Sequence, residues 1–364
     1  MKIRNNNLSK VLIGLVLCAC TSCSDWTELE AEFEENLTEP NKTEEYYEAL
    51  RAYKKSDHRV SFAWIGNISH GGVDLEKSYF GMPDSLDIVS IWQGIQSDKY
   101  WEELKWCQQK LGTKFLRCRF ASKVPDEYGW TRYEPADPNK EPEQYAIMEK
   151  AIQAYANDLC DEIDAQGLDG LDIDYEPTVG GAEAKGNLAA HQQTMEIWIK
   201  ELGKRLGPQS GTDKILAVDG EVNNAKLRNL GKYFTYFISQ AYGSSSATSL
   251  DSRVRQVIDN YTKSTTDPIS LEECVRKMIV TENFESKAST GGTTYRDREG
   301  NTMNSLKGMA LYQPYYQNAP IEGIDRIAGF GAFHLEYEYN ISGKSEHYPY
   351  MREAIQATNP AKHE

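Results

Sequence analysis

The chain has 364 residues, 40% of them hydrophobic and 11% aromatic, with 22 tyrosines and a formal net charge of −15. That length suits one large domain or two small ones and is enough to bury a full core. The acidic balance fits a soluble domain that handles polar ligands and argues against nucleic-acid binding, which needs clustered Lys and Arg to neutralise phosphates.

Residues 1–22 read as an export signal: Lys2 and Arg4 form a positive start, and "VLIGLVLCA" is an apolar run too short to span a bilayer. Cysteines follow that run as in a bacterial lipoprotein. Cys23, in "SCSDW", resembles the start of many exported Bacteroidetes lipoproteins and is the preferred lipid carrier; Cys20, in Leu17-Cys18-Ala19-Cys20, is the alternative. Either thiol would anchor an otherwise water-soluble protein. The expected location is the outer membrane, at the cell surface or the periplasmic face, with membrane contact through the lipid only. A cleaved signal without lipid is the rival reading. Residues 23–45 are acidic and weakly periodic, a tether to a domain spanning 46–364.

"EYYEALRAYKKS" (45–56) predicts a helix. Strand-like and helix-like segments then alternate. Strands are expected over 60–66, 86–92, 114–120, 168–176, 214–221, 233–243, 276–285 and 327–339. Helices are expected over 100–112, 144–167, 191–207, 249–263, 305–314 and 350–358. Eight strand-helix units in one domain point to α/β architecture, a single (β/α)8 TIM barrel. A doubly wound sheet is the rival, but no GxGxxG follows the first strand. Cys107, Cys118, Cys160 and Cys274 are widely spaced and form no CxxC, so no zinc site is expected. Buried free thiols are the default, and one disulfide remains open.

The fourth strand carries the chemistry. "DGLDIDYEP" (169–177) places Asp172, Asp174 and Glu176 at every second position, with Leu171, Ile173 and Tyr175 between them. On a barrel strand, period-two alternation sends the apolar set to the helices and the acids inward, roughly 6.5 Å apart. Glu176 falls at the carboxyl end, where barrel active sites lie. Inward acids repel, so they must share protons or hydrogen bonds, and Glu176 is placed to act as a general acid. A calcium loop is excluded: counted from Asp172, its required glycine position is Pro177.

"DGLDIDYE" resembles the DxxDxDxE signature of glycoside hydrolase family 18, which contains chitinases and endo-β-N-acetylglucosaminidases. The resemblance implies that Glu176 is the acid/base, that Asp174 steers the substrate N-acetyl group and that Asp172 shares its proton. It implies a retaining, substrate-assisted reaction through an oxazolinium ion, with no second carboxylate as nucleophile, and neither cofactor nor metal. "SQAYG" resembles the family's sixth-strand motif, making Tyr242 the candidate hydroxyl for the acetamide oxygen, with Gln240 on the same face. Asp169, for which the resemblance implies a structural part, is kept with Tyr242, Gln240, Trp64 and Glu336 among candidate substrate-binding residues. Trp92, Glu221, Glu282, Asn283 and Tyr337 are further rim positions.

Too few residues separate the seventh strand from its helix to hold the small α+β insertion common in chitin-processing members, and the eighth strand has no terminal Trp. The expected activity is therefore an endo-β-N-acetylglucosaminidase cutting the N,N'-diacetylchitobiose core of N-glycans, with the glycoprotein glycan as partner and a monomeric state expected. A chitinase-type hydrolase and a non-catalytic glycan-binding protein are the alternatives.

Overall fold

The computed structural model describes residues 42–69, 74–92, 97–179 and 186–359. The leader, with Cys20 and Cys23, lies outside the described residues. Helix α1 (Glu44–Lys55) opens the domain, its first N–H groups capped by the Thr43 hydroxyl. Strands β1 (Val60–Ile65) and β2 (Ile88–Ile91) follow. Helix α2 (Asp98–Trp106) leads through a π-turn to Gly112, whose φ of 73° ends the element. Next come β3 (Lys114–Phe120), the long α3 (Pro142–Gln166), β4 (Gly170–Tyr175), α4 (Gln192–Leu202), β5 (Ile215–Gly220) and β6 (Tyr236–Ser239). Helices α5 (Ala247–Thr262) and α6 (Leu271–Arg276) precede β7 (Met278–Asn283). A hairpin of β8 (Thr294–Arg296) and β9 (Thr302–Asn304), helix α7 (Ser305–Leu311) and a second hairpin of β10 (Tyr315–Tyr316) and β11 (Ala319–Pro320) follow. The last barrel strand is β12 (Gly329–Phe333), and α8 (Pro349–Thr358) closes the chain.

Eight strands pair in parallel around a closed barrel in the order β1-β12-β7-β6-β5-β4-β3-β2. This is the (β/α)8 barrel expected from the alternation of strand and helix signals. Its interior is filled by Phe62, Trp64, Ile88, Leu116, Ile215, Ala217, Ile238 and Ile279. The outward residues of the same strands, among them Leu171, Ile173 and Tyr175, join the strand–helix layer. Closure removes every strand edge and leaves side-chain alternation to decide which residues face the lumen.

Three expectations change. The eighth strand stops at Phe333 rather than running to 339, because His334 adopts φ 55° and Leu335–Glu338 turn into a 3₁₀ segment. The connection after β5 is a 3₁₀ run, Ala225–Tyr233. The described part of the connection after β1 holds two short 3₁₀ turns. Cys107, Cys118, Cys160 and Cys274 are all free thiols.

The segment leading into β1 meets the last described residue at the amino rim of the barrel. Asn359 donates its side-chain amide to the Arg59 carbonyl at 2.9 Å and accepts from Arg59 N at 3.2 Å.

Candidate active site

Strand β4 is buried along its whole length. Its neighbours set the level of each acid: Cys118 of β3 pairs with Asp172, Phe120 of β3 with Asp174, and Asp219 of β5 with Asp174. Asp172 is 0% exposed, Asp174 4% and Asp219 1%. Glu176 lies one residue beyond the strand and keeps partial exposure at the carboxyl end. The row of three inward acids expected from the alternation is thus joined by a fourth carboxylate, Asp219, from the adjacent strand.

Neutral donors orient these groups. Trp64 Nε1 donates to Asp172 Oδ2 at 2.9 Å, and Ser90 Oγ donates to the same oxygen at 2.7 Å. Gln240 Nε2 donates to Asp219 Oδ1 at 2.9 Å. Asp172 Oδ1, Asp174 Oδ1 and Asp219 Oδ2 have no hydrogen-bond partner among the described residues. Burial is the main reason that Asp174 is pushed well above the usual carboxylate range, with the charges of Glu176 and Asp172 adding to it. Burial, and then the charges of Asp172 and Asp174, raise Asp219. Asp172 is also raised by burial, with the Ser90 and Trp64 donors opposing. These acids therefore exist with protons shared among them at neutral pH.

The backbone beside Glu176 is built to let its side chain lie over β5. Gly220 has φ 85°, and a Cβ there would meet the Tyr175 carbonyl at 2.6 Å and Glu176 Cγ at 2.9 Å. A glycine is required on both counts. Tyr242 follows β6, and its phenol is raised first by burial and then by the charges of Asp219, Glu176 and Asp174. Its ring stacks on Phe333 at 6.3 Å, while Phe333 also contacts Trp92 at 5.2 Å and Trp64 at 6.0 Å. Trp92 in turn meets Phe120, which is 41% exposed.

The sequence profile described as glycoside hydrolase family 18, BT1044-like, matches residues 27–357. The chain belongs to glycoside hydrolase family 18. Among solved structures, a glutamate-to-glutamine variant of BT1044, from Bacteroides, is 28% identical with a TM-score of 0.68, covering 88% of this chain and 95% of that one. An endo-beta-N-acetylglucosaminidase from Cordyceps militaris in apo form is 21% identical with a TM-score of 0.60, covering 88% of this chain and 98% of that one. A double variant of the same fungal enzyme in complex with fucosyl-N-acetylglucosamine-Asn is 20% identical with a TM-score of 0.59, at 88% and 98% coverage. At those identities the fungal likeness speaks to the fold. No curated protein matches the chain significantly.

Within this family 18 barrel the other candidates separate. Asp169 sits at the amino end of β4, away from the mouth. It accepts from Gln108 Nε2 at 2.7 Å, Lys114 Nζ at 2.8 Å and Phe115 N at 3.0 Å. Its grouping with substrate-binding residues is corrected to a structural tie between β3 and β4. Trp64 is 2% exposed and its N–H is committed to Asp172, so it orients an acid from below instead of offering a face to sugar. Glu336 is 6% exposed and its Oε1 holds His334 Nδ1 at 2.6 Å. His334 stacks in turn on the exposed Tyr337.

Two rim acids prove to be backbone anchors. Glu221 accepts from Thr178 N and Oγ1, each at 2.6 Å, and from Val179 N at 3.1 Å, fastening the loop after Glu176. Glu282 is 1% exposed and accepts from Gly243 N at 2.9 Å, which fixes the turn that carries Tyr242. Asn283 caps Glu285 N at 2.7 Å. Asp219, Ser90, Cys118 and Phe333 escaped the sequence reading. Asp219 had a usable signal, since "LAVDGE" repeats the β4 pattern of an acid on the inward parity.

Proposed function

We propose that this family 18 hydrolase is an endo-β-N-acetylglucosaminidase that cleaves between the two core GlcNAc residues of N-glycans. The observation that carries the reading is the row Asp172–Asp174–Glu176, rising from buried to half-buried along β4 and the residue just beyond it. One proton donor and one buried, protonatable neighbour suit a reaction in which the substrate supplies the nucleophile.

In this scheme the 2-acetamido oxygen attacks C1 as the glycosidic C1–O bond breaks. Glu176 gives its proton to the leaving oxygen. Asp174 accepts a hydrogen bond from the acetamide N–H and balances the charge of the oxazolinium ion, while the Tyr242 hydroxyl holds the acetamide oxygen. Glu176, now a carboxylate, takes a proton from water as that water opens the ring from the face the leaving group left, with net retention. The connection from β7 to α7 favours an N-glycan over chitin. It holds a short 3₁₀ turn and the β8–β9 hairpin. The Cordyceps endo-beta-N-acetylglucosaminidase, whose double variant was solved in complex with fucosyl-N-acetylglucosamine-Asn, shares this fold.

We place the enzyme on the outer membrane as an exported lipoprotein, held through Cys23 or Cys20. Replacing both with Ser is expected to move it to the soluble fraction; retention with membranes overturns the anchor. The activity is tested by intact-mass analysis of a glycoprotein after incubation. Loss of the glycan with one HexNAc left on Asn is expected. Shortening of chito-oligosaccharides alone identifies a chitinase, and retention on glycan resin without product identifies a binder.

A further inference from the structure

Beneath Asp174, three neighbouring strands bring together groups that no local spacing along the chain would suggest. Cys118 of β3, Asp172 of β4 and Asp219 of β5 each offer one ligand atom, and these atoms lie within 4.8 Å of one another. Each carboxylate has one oxygen fixed by a neutral donor. Trp64 and Ser90 hold Asp172 Oδ2, and Gln240 holds Asp219 Oδ1. Their other oxygens, Asp172 Oδ1 and Asp219 Oδ2, are buried and receive no N–H or hydroxyl donor among the described residues, and the two carboxyl groups face each other closely enough to share a proton, whose place a cation can take. The side chains are thus already oriented by a surrounding layer, as metal ligands commonly are. Cys118 keeps partial exposure, whereas Cys107, Cys160 and Cys274 are buried.

We propose that Cys118, Asp172 and Asp219 form an inhibitory site for one thiophilic divalent cation of the Zn²⁺ or Cd²⁺ type. A sulfur and two carboxylate oxygens supply three of four tetrahedral positions. Zn–S and Zn–O bonds of about 2.3 Å and about 2.1 Å need ligand atoms roughly 3.5 Å apart, a closure of at most about 1.3 Å from the observed limit. The thiol selects against Mg²⁺ and Ca²⁺, which take six or more oxygen ligands. The ion binds as the thiol proton leaves to solvent. Because it takes the free oxygen of Asp172, the Trp64 and Ser90 bonds survive, but Asp172 no longer shares a proton with Asp174. The ion itself has no part in the reaction: the apo protein turns over, and chelator leaves its activity intact.

The test titrates chelator-treated protein with Cd²⁺ while following the ultraviolet thiolate-to-cadmium absorption, and in parallel follows glycan release. The wild type is expected to gain the absorption at one ion per chain and to lose turnover over the same range, with Mg²⁺ and Ca²⁺ inert. Cys118→Ala is expected to keep its metal-free turnover, lose the absorption, and need at least ~10-fold more Cd²⁺ for half inhibition, the low end for a lost ligand interaction. Cys118→Ser, which preserves shape, is expected to behave likewise and guards against a packing defect. No absorption difference between wild type and variant overturns the site, and binding without loss of turnover overturns its inhibitory role. The absorption requires no substrate, so its outcome is independent of which glycan the enzyme cuts.

Discussion

Asp169 and Asp172 stand three residues apart on one strand, yet the barrel treats them in opposite ways. At the amino end, carboxylates are matched by cations and N–H donors. Asp169 faces Lys114 and Gln108, and Asp87 accepts from Ser61 N at 2.8 Å and from His58 at 3.0 Å. Burial works against charge on His58, but the Asp87 carboxylate outweighs it and leaves the ring more basic than usual. At the carboxyl end burial raises Asp172, Asp174 and Asp219, neighbouring carboxylates raise Asp174 and Asp219 further, and no cation is among the causes acting on them. The amino end spends its acids on cohesion. The carboxyl end holds them uncompensated, which is the arrangement proton transfer needs and stability does not.

The sharpest way to break this comparison is to remove the proton donor. Glu176→Gln preserves shape and is expected to lower turnover at least ~10²-fold while leaving glycan affinity nearly unchanged. Asp174→Asn is expected to cripple hydrolysis similarly but still transfer a pre-formed sugar oxazoline to a GlcNAc acceptor, because Glu176 remains as base. Glu176→Gln is expected to transfer poorly. Steady-state kinetics with both donors decide the matter, and trapping of a covalent glycosyl-enzyme on any Asp or Glu would sink the substrate-assisted scheme.

A second substitution asks whether the upper acids oppose folding. Asp219→Asn removes one buried carboxylate that no cation balances while Gln240 still finds a carbonyl acceptor. Turnover is expected to fall, and thermal unfolding to move up by a few degrees. A lower midpoint would mean that the cluster is satisfied as it stands. The opposite result is expected at the amino end. Asp169→Asn weakens the ties to Lys114 and to Phe115 N, and should cost about 1 kcal/mol, or roughly 2–4 °C, with kcat unchanged.

The smallest effect concerns a buried acid outside the site. Glu338 receives Met351 N at 3.0 Å and also Tyr350 N, yet burial pushes its carboxyl up to about 8. A folded value above the unfolded one means that this group stabilises the fold fully below the ordinary carboxylate pKa, and that the contribution is lost as pH rises through about 8. Melting temperature is therefore expected to decline between pH 5 and 9 (about the span of the two values), with Glu338→Gln making the profile flatter by a degree or two. An unchanged slope assigns the alkaline loss to other groups.

The barrel and the inward row of acids on β4 were legible because both depend on periodicity. Leu171, Ile173 and Tyr175 alternating with Asp172, Asp174 and Glu176 already specify two faces, and closure then decides which is inner. The partners of those acids were not legible, because Trp64, Ser90, Asp219 and Gln240 meet them only across strands, where register rather than spacing governs contact. The same reason hid Cys118. Glu221 and Glu282 were misjudged as rim contacts because nothing in the chain order tells a carboxylate that caps backbone N–H groups from one that faces a ligand. The eighth strand was overrun because "HLEYEY" keeps strand-like alternation, while the left-handed turn at His334 is a tertiary outcome.

The clasp between Arg59 and Asn359 sets a direction for the whole molecule. The chain enters β1 and leaves α8 at the amino rim, so the mouth with Glu176 opens on the opposite pole. Under the lipid anchor proposed above, that polarity would turn the mouth away from the pole where the chain enters the barrel. The same polarity makes either end a handle for immobilising the enzyme on a bead or fusing it to a carrier without obstructing the approach of large substrates.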